Sequence, residues 1–91
     1  MTRDYYVAEE NSQRKIICAA DNKGIRILTK EAFANMSDGS LKGYKKKVID
    51  HHAEIHQHGT IQAIKAIDYL RHTINRELGE REAEKFAQGE F

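Results

Sequence analysis

A chain of 91 residues with 40% hydrophobic and 32% charged side chains makes one small domain with a thin core, because a chain of this size buries only about 60–65% of the surface it exposes unfolded. That excludes a barrel enzyme or a complete dinucleotide-binding fold, and no apolar run approaches the roughly 18–20 residues needed to cross a membrane. Fifteen basic against 14 acidic residues leave a formal net charge of +1, which by itself selects neither nucleic acid nor an acidic substrate.

The first 28 residues carry β signals. Tyr5-Tyr6-Val7, Ile16-Ile17-Cys18 and Ile25-Arg26-Ile27-Leu28 are rich in β-branched and aromatic side chains, which suit a pleated, half-buried surface. Glu10-Asn11-Ser12-Gln13 and Asp21-Asn22-Lys23-Gly24 separate them as hairpin loops, with Gly24 expected to take the left-handed conformation. Alternation places Ile16, Cys18 and Ala20 on one face. A meander this small is not stable alone and has to pack on helices.

Thr29 is placed to N-cap a short helix over residues 29–37, with Glu31 in its first turn, and Leu28 and Phe33 are spaced as a hydrophobic staple. Ser37-Asp38-Gly39-Ser40 ends that helix and caps the next. Helix two is expected over residues 40–58, with Leu41, Tyr44, Val48, His52 and Ile55 on one face and Gly43 as its weak point. Gly59-Thr60 reads as a stop followed by a new N-cap. Helix three then covers residues 60–78 with the stripe Ile61, Ile64, Ile67, Leu70, Ile74 and Leu78. The two stripes do not align on one continuous helix, which favours an antiparallel hairpin over a single kinked helix. Residues 79–91 form a charged tail, partly helical, with Glu77 and Arg81 at ion-pair spacing and Phe86 and Phe91 as apolar residues that suggest docking. The whole is an α+β domain: an N-terminal antiparallel β-meander, a short helix and a two-helix antiparallel hairpin.

Charge is unevenly spread. Residues 39–76 hold seven basic groups against three acidic ones, a balance of +4, whereas residues 77–91 hold two against five, a balance of −3. Such a division suits steering, or self-association with opposite patches meeting. Cys18 is the one cysteine, lies in an apolar run and reads as a small packed hydrophobe. With no disulfide and an N-terminus unlike a secretory signal, a cytoplasmic setting is expected.

Four histidines fall within residues 51–58 and His72 follows. His52 and His56 are four apart, a usable spacing for two zinc ligands. A third ligand is missing. In a hairpin centred on Gly59, position i faces roughly 117 minus i, so His72 stands about two turns from His52. No metal or cofactor is therefore expected, and a pH-sensitive interface at His52 is the milder role. The segment Lys42-Gly43-Tyr44-Lys45-Lys46-Lys47, with Lys65 and Arg71, offers phosphate contacts and one aromatic for a nucleic acid. Against that, Tyr44 falls on the apolar stripe and no nucleic-acid-binding signature accompanies the lysines. Phosphate loops, nucleophile elbows and zinc-protease patterns are absent from the sequence.

The leading expectation is a small non-enzymatic binding or regulatory protein that acts through protein–protein contacts, with a homo-oligomer, most simply a dimer, and a further protein partner. Its interface is expected at Tyr44, Val48, His52, Ile55, Ile64, Ile67, Ile74 and Phe86. The short, proline-free plan has the look of a small inhibitor or accessory protein of phages or mobile elements, with no motif behind that impression. The alternative is a nucleic-acid-binding accessory protein using residues 42–47, and the third reading is a metal-dependent activity through the histidine cluster.

Overall fold

The computed structural model describes residues 4–87. Strands β1 (Tyr5–Glu10), β2 (Gln13–Cys18) and β3 (Gly24–Arg26) form an antiparallel sheet in the order β1-β2-β3. Helices α1 (Lys30–Ala34), α2 (Asp38–His58) and α3 (Ile61–Ala87) follow. The architecture is α+β, with the sheet first and the two long helices last. No helix among the described residues is long and apolar enough to cross a membrane.

The first hairpin closes through Asn11 and Ser12, both with positive φ (53° and 64°). Two consecutive left-handed residues match the right-handed twist of the flanking strands, and Asn tolerates that region well. The second connection differs from expectation. Asn22 holds the left-handed position (φ 59°), and Gly24 is the first residue of β3. The turn is held locally: Asp21 Oδ1 accepts from the Lys23 amide at 3.0 Å, and the Asn22 amide donates to the Cys18 carbonyl. An Asx turn supplies its own acceptor, so glycine is not needed there.

Register puts Tyr5 opposite Cys18, Val7 opposite Ile16 and Ile16 opposite Ile25. Tyr5, Ile16, Cys18 and Ile25 on this face join Phe33, Leu41, Val48, Ile55, Ile67, Leu70 and Ile74 in one buried cluster. Thr29 Oγ1 accepts from the Ala32 amide and Ser37 Oγ from the Ser40 amide, so both caps form as their sequences require. α2 begins at Asp38, earlier than the apolar stripe indicates, because the Ser37 cap sets its start.

The helical hairpin turns at Gly59 and Thr60. Gly59 is extended (φ −89°, ψ 155°) and forms a parallel bridge with Tyr5. The Thr60 amide donates to the Tyr5 carbonyl, and Thr60 Oγ1 accepts from the Ala63 amide to start α3. Gly59 is required by close approach: a Cβ there would lie 2.4 Å from the Ile55 carbonyl oxygen. α3 does not stop at Leu78 but continues through Gly79 to Ala87. Gly79 has open space around it and costs the helix only its intrinsic propensity. Ile61, expected on the apolar stripe, is 73% exposed in the first turn. Ala63 and Ala66 take the buried positions there, and their small side chains let the neighbouring elements approach.

Arg81 ties the far end together. Its Nε donates to Glu77 Oε2 (2.9 Å), Nη1 to Asp38 Oδ1 (2.6 Å) and Nη2 to the Met36 carbonyl (2.7 Å) and the Phe33 carbonyl (3.1 Å). It thus satisfies carbonyls at the C-terminus of α1 and anchors the first turn of α2. The i,i+4 pair with Glu77 is legible in the sequence, whereas the reach to Asp38 and the α1 carbonyls is tertiary.

Candidate functional site

Val48, Ile55, Ile67 and Ile74 are fully buried within the chain itself. The expected interface on the α2–α3 face is therefore corrected at these positions: the chain's own sheet and α1 pack there. Tyr44 and Ile64 are half-buried against the same core. Phe86 is 64% exposed near the end of α3, and Phe91 lies outside the described residues. Among the expected set, Phe86 is exposed, and His52 is half-buried like Tyr44 and Ile64.

His52 follows Val48 by one turn and His56 follows Ile55 directly, so both imidazoles stand at the rim of the α2–α3 contact. Their ring centroids are 4.4 Å apart and their planes differ by 35°. Asp68, in the second turn of α3, reaches the same point. His52 Nε2 lies 3.0 Å and His56 Nε2 2.8 Å from one oxygen, Asp68 Oδ1. The hydrogen bond from His56, then that from His52, holds the Asp68 carboxyl below the ordinary carboxylate range, with slight burial opposing. The donor atoms of these three side chains all lie within 4.8 Å of one another. The trio is open to water on one side, with His52 the most covered member.

Asp68 is the residue that sequence spacing misses. Asp38 with Arg81 at one end and His52 with Asp68 nearer the loop both fit a hairpin in which i faces about 120 minus i. A hairpin pivoting on Gly59 is about three residues out of step, nearly a helical turn. The extended Gly59 and the Thr60 cap move the pivot beyond the glycine. His72 is exposed and stays outside the trio, and the Nδ1 of His51 is engaged by the Lys47 carbonyl at 2.8 Å.

The lysines of residues 42–47 do not form one surface. Lys42, Lys46 and Lys47 are exposed, Lys45 is half-buried, and Lys47 Nζ donates to the Gly24 carbonyl at 3.3 Å. Together they span roughly 200° of the helix circumference. Arg71 is exposed further along α3, and Lys65 faces a different feature.

That feature is a groove of 660 Å³ between the start of β2, the β3–α1 connection and α3. Ile27, Leu28, Ala32 and Ala66 supply apolar walls, and Arg14, Arg26 and Lys65 supply charge. Tyr69 closes one side and donates its hydroxyl proton to the Leu28 carbonyl at 3.2 Å. No described carboxylate lines the groove.

Comparison with protein-family models, with curated proteins and with solved structures finds no match to this chain.

Proposed function

We propose that this is a small non-enzymatic binding protein that regulates or assists through protein contacts, and that its groove receives an acidic segment bearing an apolar anchor. The supporting observation is the lining: three cations around apolar walls, with no described carboxylate among them. Charge of one sign selects and steers an opposite partner, and the apolar floor supplies the area that holds it. The end of α3 has the complementary chemistry, with exposed Glu82 and Glu84 beside Phe86. Glu82 and Phe86 are four residues apart and share a helix face. A second copy of the chain is therefore the first occupant to test, and it gives the dimer a basis outside the buried core. A reducing, cytoplasmic setting suits a chain whose one cysteine is buried and free. The role of an inhibitor or accessory protein belongs to the same reading.

The test is sedimentation velocity of the full chain over a concentration and salt series, beside the variants Arg14→Glu/Lys65→Glu and Phe86→Ala. A salt-sensitive association lost in both variants supports the second copy as occupant. A monomer that captures an acidic host protein, with capture lost in the Arg14→Glu/Lys65→Glu variant, supports the groove with another protein. Tight DNA or RNA binding abolished by replacing Lys45, Lys46 and Lys47 with Ala overturns the reading in favour of phosphate recognition.

A further inference from the structure

We infer that His52, His56 and Asp68 form a binding site for a divalent cation of the zinc class, held across the α2–α3 hairpin by two imidazole nitrogens and one carboxylate oxygen. This goes beyond the groove and rests on different residues.

Convergence carries the inference. Two imidazoles on one helix and a carboxylate on the next direct their donor atoms to one point, with Nε2–Oδ1 distances of 3.0 and 2.8 Å. A tetrahedral ion with arms of about 2.0–2.1 Å separates neighbouring donors by roughly 3.3 Å. The two imidazole–carboxylate edges therefore need to open by only a few tenths of an ångström to admit the ion, and the donor atoms of the two imidazoles lie within 4.8 Å of one another. Small rotations of three exposed or half-buried side chains provide that, while the helices that carry them stay packed through Ile55 and Ile67, both fully buried.

The donor set selects the ion. Two imidazoles with one carboxylate suit zinc, cobalt, nickel or copper, whereas magnesium and calcium favour oxygen donors throughout. Asp68 supplies the one carboxylate oxygen among the three donors, and a carboxylate binds the ion in its ionised form. Solvent access leaves the remaining coordination position to water. In the ion's absence the imidazoles donate N–H hydrogen bonds to Asp68. On binding, each imidazole presents its Nε2 lone pair and carries its proton on Nδ1. The ion then cross-links two elements whose ligands are 12 and 16 residues apart in the chain, so binding favours the folded state.

The experiment uses the tag-free full chain, stripped with chelator. Zn2+ is titrated calorimetrically, and Co2+ is followed by its visible absorption. One saturating equivalent is expected, with a raised melting temperature that chelator reverses. Asp68→Asn and His56→Gln should each weaken binding by at least about ten-fold, the loss that even an outer partner of a metal ligand produces. Their melting in chelator reports whether they fold. Should either misfold, the combined variant His51→Gln/His58→Gln/His72→Gln leaves the trio intact and decides the matter: a retained Co2+ band supports the site, and its loss overturns it. Failure of the wild-type chain to show saturable binding overturns the inference outright, and leaves His52–Asp68–His56 as a hydrogen-bonded tie between helices.

Discussion

Three glycines of the helical hairpin should respond to the same substitution with opposite signs. At Gly59 an added Cβ would lie 2.4 Å from the Ile55 carbonyl oxygen, 3.1 Å from Ile55 Cγ2 and 3.3 Å from Ala63 Cβ. The first contact is with backbone, which cannot rotate away, and the backbone angles of Gly59 are ones that alanine adopts freely. Conformation is therefore not at issue, and the whole penalty is steric. Overpacking of this kind costs about 1–3 kcal/mol, offset by about 0.4–1 kcal/mol from a less flexible unfolded chain. The difference is a loss of about 0–2.6 kcal/mol, and the 2.4 Å approach to backbone places it in the upper half of that range. Gly43 and Gly79 sit in helix interiors with nothing within 4 Å of the added carbon. Alanine there should add about 0.8–1 kcal/mol each. For a domain of this size, 1 kcal/mol moves the melting temperature by about 4–8 °C. Thermal and urea unfolding of Gly59→Ala, Gly43→Ala and Gly79→Ala, with unchanged urea slopes, reads both signs. A Gly59→Ala variant as stable as the parent, or a Gly43→Ala variant less stable than it, would refute the packing argument.

Two further outcomes follow from single side chains. The Tyr44 hydroxyl is buried with no hydrogen-bond partner among the described residues, and the ring meets Phe33 edge-on at 5.2 Å between centroids. Tyr44→Phe keeps that ring contact and removes a desolvated hydroxyl, so urea unfolding should show equal or greater stability, by up to about 1 kcal/mol. In the parent, burial raises the Tyr44 phenol above its ordinary range, and burial followed by the Glu54 hydrogen bond does the same for Tyr5. The Arg81 guanidinium, hydrogen-bonded to Asp38, lowers that carboxyl below its ordinary 3.8. The unfolded chain therefore binds more protons at this group, and its stabilising contribution is complete above that value and lost as pH falls through the depressed one. Asp38→Asn should flatten the acid limb of the stability profile, and a limb as steep as the parent's would show that the pair carries no such linkage.

Much of the local plan is legible in the chain. Thr29, Ser37 and Thr60 are cap residues whose hydroxyls accept from the amide three residues on, a bond that depends only on neighbours in sequence. The same is true of the Glu77–Arg81 pair and of the His52–His56 spacing, both set by the helical repeat. Periodicity likewise identifies the buried lines through Val48 and Ile55 and through Ile67, Leu70 and Ile74. What it leaves open is how those lines meet. A stripe shows which face is buried, but two stripes slide past each other by nearly a turn without changing either pattern. The extended Gly59, its bridge to Tyr5 and the small Ala63 and Ala66 settle that slide. Their contacts join the first strand to the helical loop, more than 50 residues apart. Asp68 meets His52 and His56, Arg81 meets Asp38, and Arg14 lines one groove with Lys65 only once that register exists. The elements are thus local consequences of the sequence, whereas both candidate sites belong to the tertiary structure, because their side chains converge from separate elements whose relative placement only core packing determines.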